Sequence, residues 1–468
     1  MHHDLIIPKE IDSFDVKKRY AVLADISRTP EAEAQADKKL FNRAPGAVNH
    51  AYSLVNMHIH SFYSFNSQGY SPAHIALACR QNGLYAAALC DFDVLDGLEE
   101  FIAAGQMLGL RTAVHLETRA FLREYALVEI NSPGEPGVTY ILGAGFFSLP
   151  EQNSAAMKSL GEFRQQANLR NRALVGRINE RLPEISINYD TDVIPLSPGG
   201  CPTERHIVQA YRLKAQRVFP SREELTAFWA KLLRKTGEEV ERFLNDLPVF
   251  DEKVRALLAK SGGIGYVRPD EKTFPPVDDF IACVLQCEAI PMASWLDGTS
   301  KGENNMLEML ECLKAKGAAA LNIILDRVHN LKNTDERRIK LKNLNEVISA
   351  ARKLAFPINI GTEMNKSGQP FVDDLECEAL APYKNDFMRG ANIMIGQTIL
   401  ARYAGFSYCG KSALGEYGGD TERKNNFFEA VGKLPPLSVQ EACRLADMGR
   451  EIAFQFIRDS VLKMQWKF

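Results

Sequence analysis

The sequence predicts an α/β protein, built on a parallel sheet or barrel and interrupted by a helical block. Three observations predict it. Short apolar runs alternate with helical segments from Ser53 to Glu117. The connections between them are short, so successive strands run the same way. The same rhythm returns at Phe280, after a charged, helix-rich stretch.

The elements follow in order. Ser53–His60 reads as a buried strand ending in polar groups. Ser71-Pro72 supplies an N-cap and a first-turn proline, and Gly83 ends that helix. Leu84–Cys90 is a second strand. Asp96 is the expected cap of helix Leu98–Leu108, with Gly109 past its end, and Arg111–Glu117 is a third strand. Two more are expected near Tyr125–Ile130 and Thr139–Gly143, joined by the turn formers Ser132 to Gly137. Residues 150–272 read as helices; Leu225, Phe228, Trp229, Leu232 and Leu233 lie at core-forming spacing behind the Ser221 cap. Strands at Ala289–Ala293, Ala318–Leu325 and Pro357–Gly361 then alternate with helices. The expected organisation is an extension at 1–50 that includes the Pro/Ala/Glu-rich stretch Thr29–Ala36, a barrel in two parts (51–149 and 273–400), the insertion 150–272, and a helical region 401–468.

Length and composition bound the function. The chain has 468 residues, 46% hydrophobic and 25% charged, which excludes a disordered or collagen-like chain. Its net charge of −3 gives no general basic excess for nucleic acid or an anionic membrane. No membrane-spanning apolar run and no signal core are present. The nine cysteines show no CxxC pairing, and Cys283 and Cys287, one helical turn apart, read as a buried face. Reduced thiols in a cytoplasmic protein are expected.

In parallel α/β sheets, chemistry collects at the carboxyl ends of strands. Alternation puts Asn56, His58 and His60 on one face of the first strand. The second strand ends in Asp91-Phe92-Asp93 and the third in Glu117. The later strands end in Ser294–Asp297, Asp326-Arg327 and Glu363-Met364-Asn365. Two histidines with several carboxylates on one rim form a pattern suited to Zn, Mn or Fe. The bland alternatives are that Asp91 and Asp93 cap a helix and that Glu117 pairs with Arg119. His115, His206 and His329 are further candidates, each equally readable as a structural histidine, and His74 reads as a helix-surface residue.

These residues resemble the PHP (polymerase and histidinol phosphatase) superfamily. Asn56-Met57-His58-Ile59-His60-Ser61 with Ser64, then Tyr70-Ser71-Pro72, is similar to its first motif. Cys90-Asp91-Phe92-Asp93 with Gly97 is similar to its second, and His115-Leu116-Glu117 stands where Gly-x-Glu is usual. The inserted block, with Glu204-Arg205-His206 opening a helix, resembles the branch that cleaves nucleoside bisphosphates and short RNA ends. The resemblance spans roughly 53–147 and 275–400. It implies a distorted (β/α)7 barrel of PHP type with a helical insertion domain.

The family binds up to three metals, and the departures sort by metal. Phe65, Phe92, Tyr140, Ser294 and Asn365 stand where ligands are usual. The positions of one metal retain ligand chemistry: His58, His60, Glu117 and Glu363. The resemblance therefore implies one divalent metal and no organic cofactor. It also implies hydrolysis, foremost of a phosphoester, in a small phosphorylated or otherwise anionic substrate; nucleic acid is expected only as short oligonucleotides. Asp91, Asp93 or Asp297 would act as base, or Asp91 or Asp93 would fix a histidine tautomer. Arg327, with Lys301, Lys332 and Lys366, would replace the charge of the missing metals. Two alternatives stand: a catalytically inactive, PHP-derived ligand- or partner-binding protein, and an amide hydrolase or lyase on the same site.

Overall fold

A computed structural model describes residues 7–27 and 54–468. Thr29–Ala36 and Ser53 lie outside the described residues. Seven strands form one nearly closed, barrel-like sheet in sequence order, with helices around it. They are β1 (Val55–Ile59), β2 (Ala86–Phe92), β3 (Arg111–Phe121), β4 (Val138–Phe146), β5 (Ile290–Trp295), β6 (Ala320–Ile323) and β7 (Ile358–Ile360). Ser71 caps helix Pro72–Gln81 through its side chain, as its sequence context predicts. Gly97, not Asp96, is the N-cap of Leu98–Leu108; Asp96 instead accepts a hydrogen bond from Arg164 at 3.3 Å.

The sheet is mixed. β1–β2–β3 and β5–β6–β7 pair in parallel, whereas β4 is antiparallel to both β3 and β5. The reason is the connection. β3 runs on to Phe121, and only a single 3-10 turn at Arg123–Tyr125 intervenes before β4, so the chain returns as a hairpin, which forces antiparallel pairing. The strand expected at Tyr125–Ile130 does not form. Those residues belong to that connection, which is closed by Leu122 N–H donating to Gly137 O and Gly137 N–H donating to Val128 O.

Closure brings the segment after β7 against β1. Glu363 N–H donates to His58 O (2.8 Å) and His60 N–H donates to Glu363 O (2.9 Å). Gly361 makes that approach possible, since a Cβ there would lie 2.4 Å from His58 N. Gly361→Ala is therefore expected to push β1 from the seam, at about 1–3 kcal/mol. The check is thermal unfolding beside metal titration; unchanged behaviour in both would contradict the close approach. Glu363 and Met364 both have φ near +60°, an uncommon left-handed pair of non-glycine residues at the rim.

Between β4 and β5 the chain is helical: Ala155–Arg181, Glu204–Val218, Arg222–Leu233, Gly237–Leu244, Leu247–Leu258 and Val277–Gln286. The first five of these helices contribute to a second hydrophobic cluster centred on Ile178, Tyr211, Trp229, Val240 and Phe250. The periodicity of Leu225 and Trp229 is thus read out as packing. The N-terminal helix Val16–Ser27 is anchored: Arg19, fully buried, forms an ion pair with Glu100. All nine cysteines are free thiols.

Candidate metal centre and its basic cleft

His58 and His60 are delivered by the end of β1, and Glu117 by β3. All three are buried. His58 Nε2 and His60 Nε2 are 3.3 Å apart. Glu117 Oε2 lies 3.5 Å from His58 Nε2 and 3.4 Å from His60 Nε2, and Oε2 has no hydrogen-bond partner. Among the described residues, these three bring ligand atoms within 4.8 Å of one another. The spacing is informative. Tetrahedral ligands at about 2.0–2.1 Å from a zinc-like ion are about 3.3–3.4 Å from each other. The three donors therefore sit at the edge lengths of a tetrahedral face, and their chemistry, two imidazoles and a carboxylate, fits a divalent ion of the Zn, Mn or Fe type.

Asp91 orients this group. Its carboxylate accepts hydrogen bonds from Ser61 N (2.7 Å), Ser61 Oγ (2.7 Å) and Ser64 Oγ (2.6 Å). Ser64 Oγ in turn lies 3.1 Å from His60 Nδ1, so Asp91 fixes the His60 ring through Ser64. Phe92 stacks flat on His60, with centroids 5.1 Å apart. Asp93, with φ +58°, lines the cleft beside the triad and accepts from Thr118 Oγ1 at 2.5 Å. Burial pushes the Asp93 carboxyl up, against the pull of Arg170, Thr118 and Arg119. That suits a proton donor or acceptor.

Glu363 reaches the same rim, but its carboxylate is engaged by Arg327 (3.0 Å) and Gln369 (3.2 Å). Burial opposes its charge, yet Arg327 and the two histidines hold it down at about 2. Arg327 lines the cleft. Asp297 does not line it. Its oxygens are taken by Thr299 (2.6 Å) and Lys340 (3.0 Å). Lys301, Lys332 and Lys366 are exposed, and none lines the cleft.

Among the described residues, the other four histidines, at 74, 115, 206 and 329, have neighbours of their own away from the three donors. His115 Nδ1 accepts from Gly145 N (3.1 Å), and burial pushes its pKa down to about 3. His206 caps its own helix by accepting from Thr203 N (3.0 Å). His329 lies 3.4 Å from Asp373. His74 is not a surface residue: the N-terminal segment covers it, Asp12 pairs with it at 2.8 Å, and Tyr70 stacks on it.

The cleft has a volume of about 140 Å³, and much of its wall is basic. Arg119 follows Glu117 on the same face of β3 and pairs with Glu135 (2.9 Å) and Glu204 (3.2 Å), not with Glu117. The helical block adds Arg170, Arg205, Arg255 and Lys260. Glu204 alone carries three cations: Arg119, Arg255 (3.1 Å) and Lys260 (2.9 Å). Of these, only Arg205 stands out in the sequence, beside His206. Arg170, Arg255 and Lys260 come from separate segments with no shared motif; the charged character of residues 150–272 was the one available signal.

Glu204 makes a pH prediction. Burial opposes its charge, but Lys260, Arg255 and Arg119 outweigh burial and hold its pKa well below the ordinary 4.5. A carboxylate lowered on folding stabilises fully above its unfolded pKa and loses that contribution as pH falls through the folded value. The stability advantage of wild type over Glu204→Gln should be constant near neutrality and shrink below pH 4.5. An advantage that grows on acidification, followed by urea unfolding across pH, would contradict this sign.

No family model and no curated protein matches the sequence. The solved structures that match include two described as hydrolases. One is a protein described as a metal-dependent phosphoesterase from Bifidobacterium adolescentis, 15% identical over 71% of this chain and 96% of that one, with a TM-score of 0.44. The other is an amidohydrolase from Chromobacterium violaceum, with bound sulfate and no metal, 14% identical over 68% of this chain and 91% of that one, with a TM-score of 0.44. Among the described residues, no helix is long and apolar enough to cross a membrane.

Proposed function

We propose that this chain is a PHP-type, metal-dependent hydrolase, a phosphoesterase acting on a small phosphorylated or otherwise anionic substrate with a single divalent metal. The observation that carries the reading is the convergence of His58, His60 and Glu117 at ligand spacing beside a basic cleft. These three would hold the ion, with Glu363, which both histidines act on, as a fourth donor. Such an ion supplies Lewis-acid polarisation of the scissile group and a water acidified toward neutrality.

The chain's own residues supply the rest. Arg327 and Arg170, at the cleft wall, bind and orient phosphoryl oxygens by charge-assisted hydrogen bonds. Asp93 moves a proton at the leaving oxygen. Asp91 keeps His60 in register through Ser64. Residues 150–272 act as an insertion domain that brings cations to the barrel mouth.

The test is a screen of phosphomono- and phosphodiesters with Mn, Zn and Fe. Turnover is expected, with Arg170→Met raising KM by about tenfold or more, the value of one charge-assisted hydrogen bond. Metal-loaded protein that turns over no phosphoester would sink the phosphoesterase reading. One observation favours a second reading, a catalytically inactive binding protein. Phe92 stacks on His60 and Phe65 packs on His206, apolar rings where the family carries ligands. On that reading, His58→Ala leaves ligand binding intact.

A further inference from the structure

A second cavity, of about 350 Å³, adjoins the catalytic cleft. Arg119, Arg170, Asn171 and Glu204 line both cavities and form the wall between them. Phe274 stiffens that wall: the guanidinium groups of Arg119 and Arg170 lie 4.6 and 4.5 Å from its ring centre.

The charge around this second cavity is unbalanced. Its two carboxylates are already committed, Glu135 to Arg119 and Glu204 to Arg119, Arg255 and Lys260. Arg170, Arg177, Arg268 and Lys272 also line it, and among the described residues none of the four forms an ion pair. Arg170 belongs to the wall shared with the cleft. One of its Nη atoms donates to Thr273 O (3.3 Å), while its buried Nε has no partner. Between these cations the lining is apolar, with Leu169, Leu174, Val267 and Pro269.

We propose that this cavity is a ligand site separate from the catalytic cleft, and that it takes an anionic amphiphile: one acidic head directed to Arg268 and Lys272, on an apolar body. The size suits a small molecule. A lining that interleaves cations with apolar groups discriminates against both a bare inorganic anion and an uncharged alkane chain. The site requires neither metal nor turnover, so its failure and the failure of the hydrolase reading are distinguishable.

The experiment is calorimetric titration of the full chain with decanoate and with decylphosphonate, a head that no phosphoesterase can hydrolyse, each below micelle formation. One equivalent of either per chain is expected, and the tighter head names the preferred anion. Arg268 and Lys272 are exposed and lie outside the catalytic cleft. Arg268→Glu/Lys272→Glu should weaken binding at least tenfold, with metal content and phosphoester turnover unchanged. Decanol and inorganic phosphate should bind at least tenfold more weakly than the amphiphile. The proposal is overturned if neither amphiphile binds saturably, if the charge reversals leave binding unchanged, or if decanol binds as well as decanoate.

Discussion

Glu117→Gln is expected to weaken metal binding by more than about 100-fold and to abolish metal-dependent turnover while leaving the fold intact. Gln preserves the volume and the backbone of β3. What it removes is the charge at Oε2, which faces His58 Nε2 and His60 Nε2 at 3.5 and 3.4 Å. Changes in groups that merely support metal ligands already cost about 10–100-fold, so loss of a ligand should exceed that. The measurement is titration of the metal-stripped protein with Zn and Mn, with circular dichroism as the folding control. Wild-type affinity in Glu117→Gln would mean that the three donors converge for another reason, such as a proton shared between the imidazoles.

The largest expected effect on stability lies at the anchor of the N-terminal helix. Arg19→Met should destabilise the protein by about 3–5 kcal/mol, the usual effect of breaking a buried ion pair from one side. Arg19 and Glu100 are 0% and 4% exposed. Arg19 Nε donates to Glu100 Oε1 at 2.8 Å and Nη2 to Oε2 at 2.5 Å, a two-pronged pairing. Without Arg19, Glu100 keeps only the N–H of Ala73, at 3.0 Å. Urea unfolding measures the loss. The double variant Arg19→Met/Glu100→Leu should recover most of it, because no unpaired charge then stays buried. A single variant as stable as wild type would show that the N-terminal helix is not anchored by this pair.

Those two sites differ in how far they are legible in the sequence. The candidate metal group is legible because strand alternation is strict: His58 and His60, two apart, must share a face, and Glu117 lies on β3 of the same sheet, although β3 runs four residues past it. Local rules also locate the Ser71 cap and the buried face carrying Trp229. The rest depends on partners distant in sequence. Asp297 stands at a strand end like Asp93, but Lys340 and Thr299 take its oxygens. His74 reads as exposed until Asp12 covers it. The reversal of β4 follows from a hairpin whose turn residues are visible, while the strand-helix rhythm on either side suggests parallel pairing throughout. The basic wall was hidden most completely. Arg170, Arg255 and Lys260 meet only once the helical block has folded against the barrel mouth, and no local spacing encodes that meeting.

The most direct measurement is metal content per chain, by elemental analysis, for protein purified without added metal or chelating resin, in wild type and in His58→Ala/His60→Ala. The predicted result is close to one equivalent of Zn, Mn or Fe in wild type and none in the double variant. No metal in wild type, and none taken up on titration, would contradict a metal centre at His58, His60 and Glu117. Two or three equivalents would contradict the single-metal site.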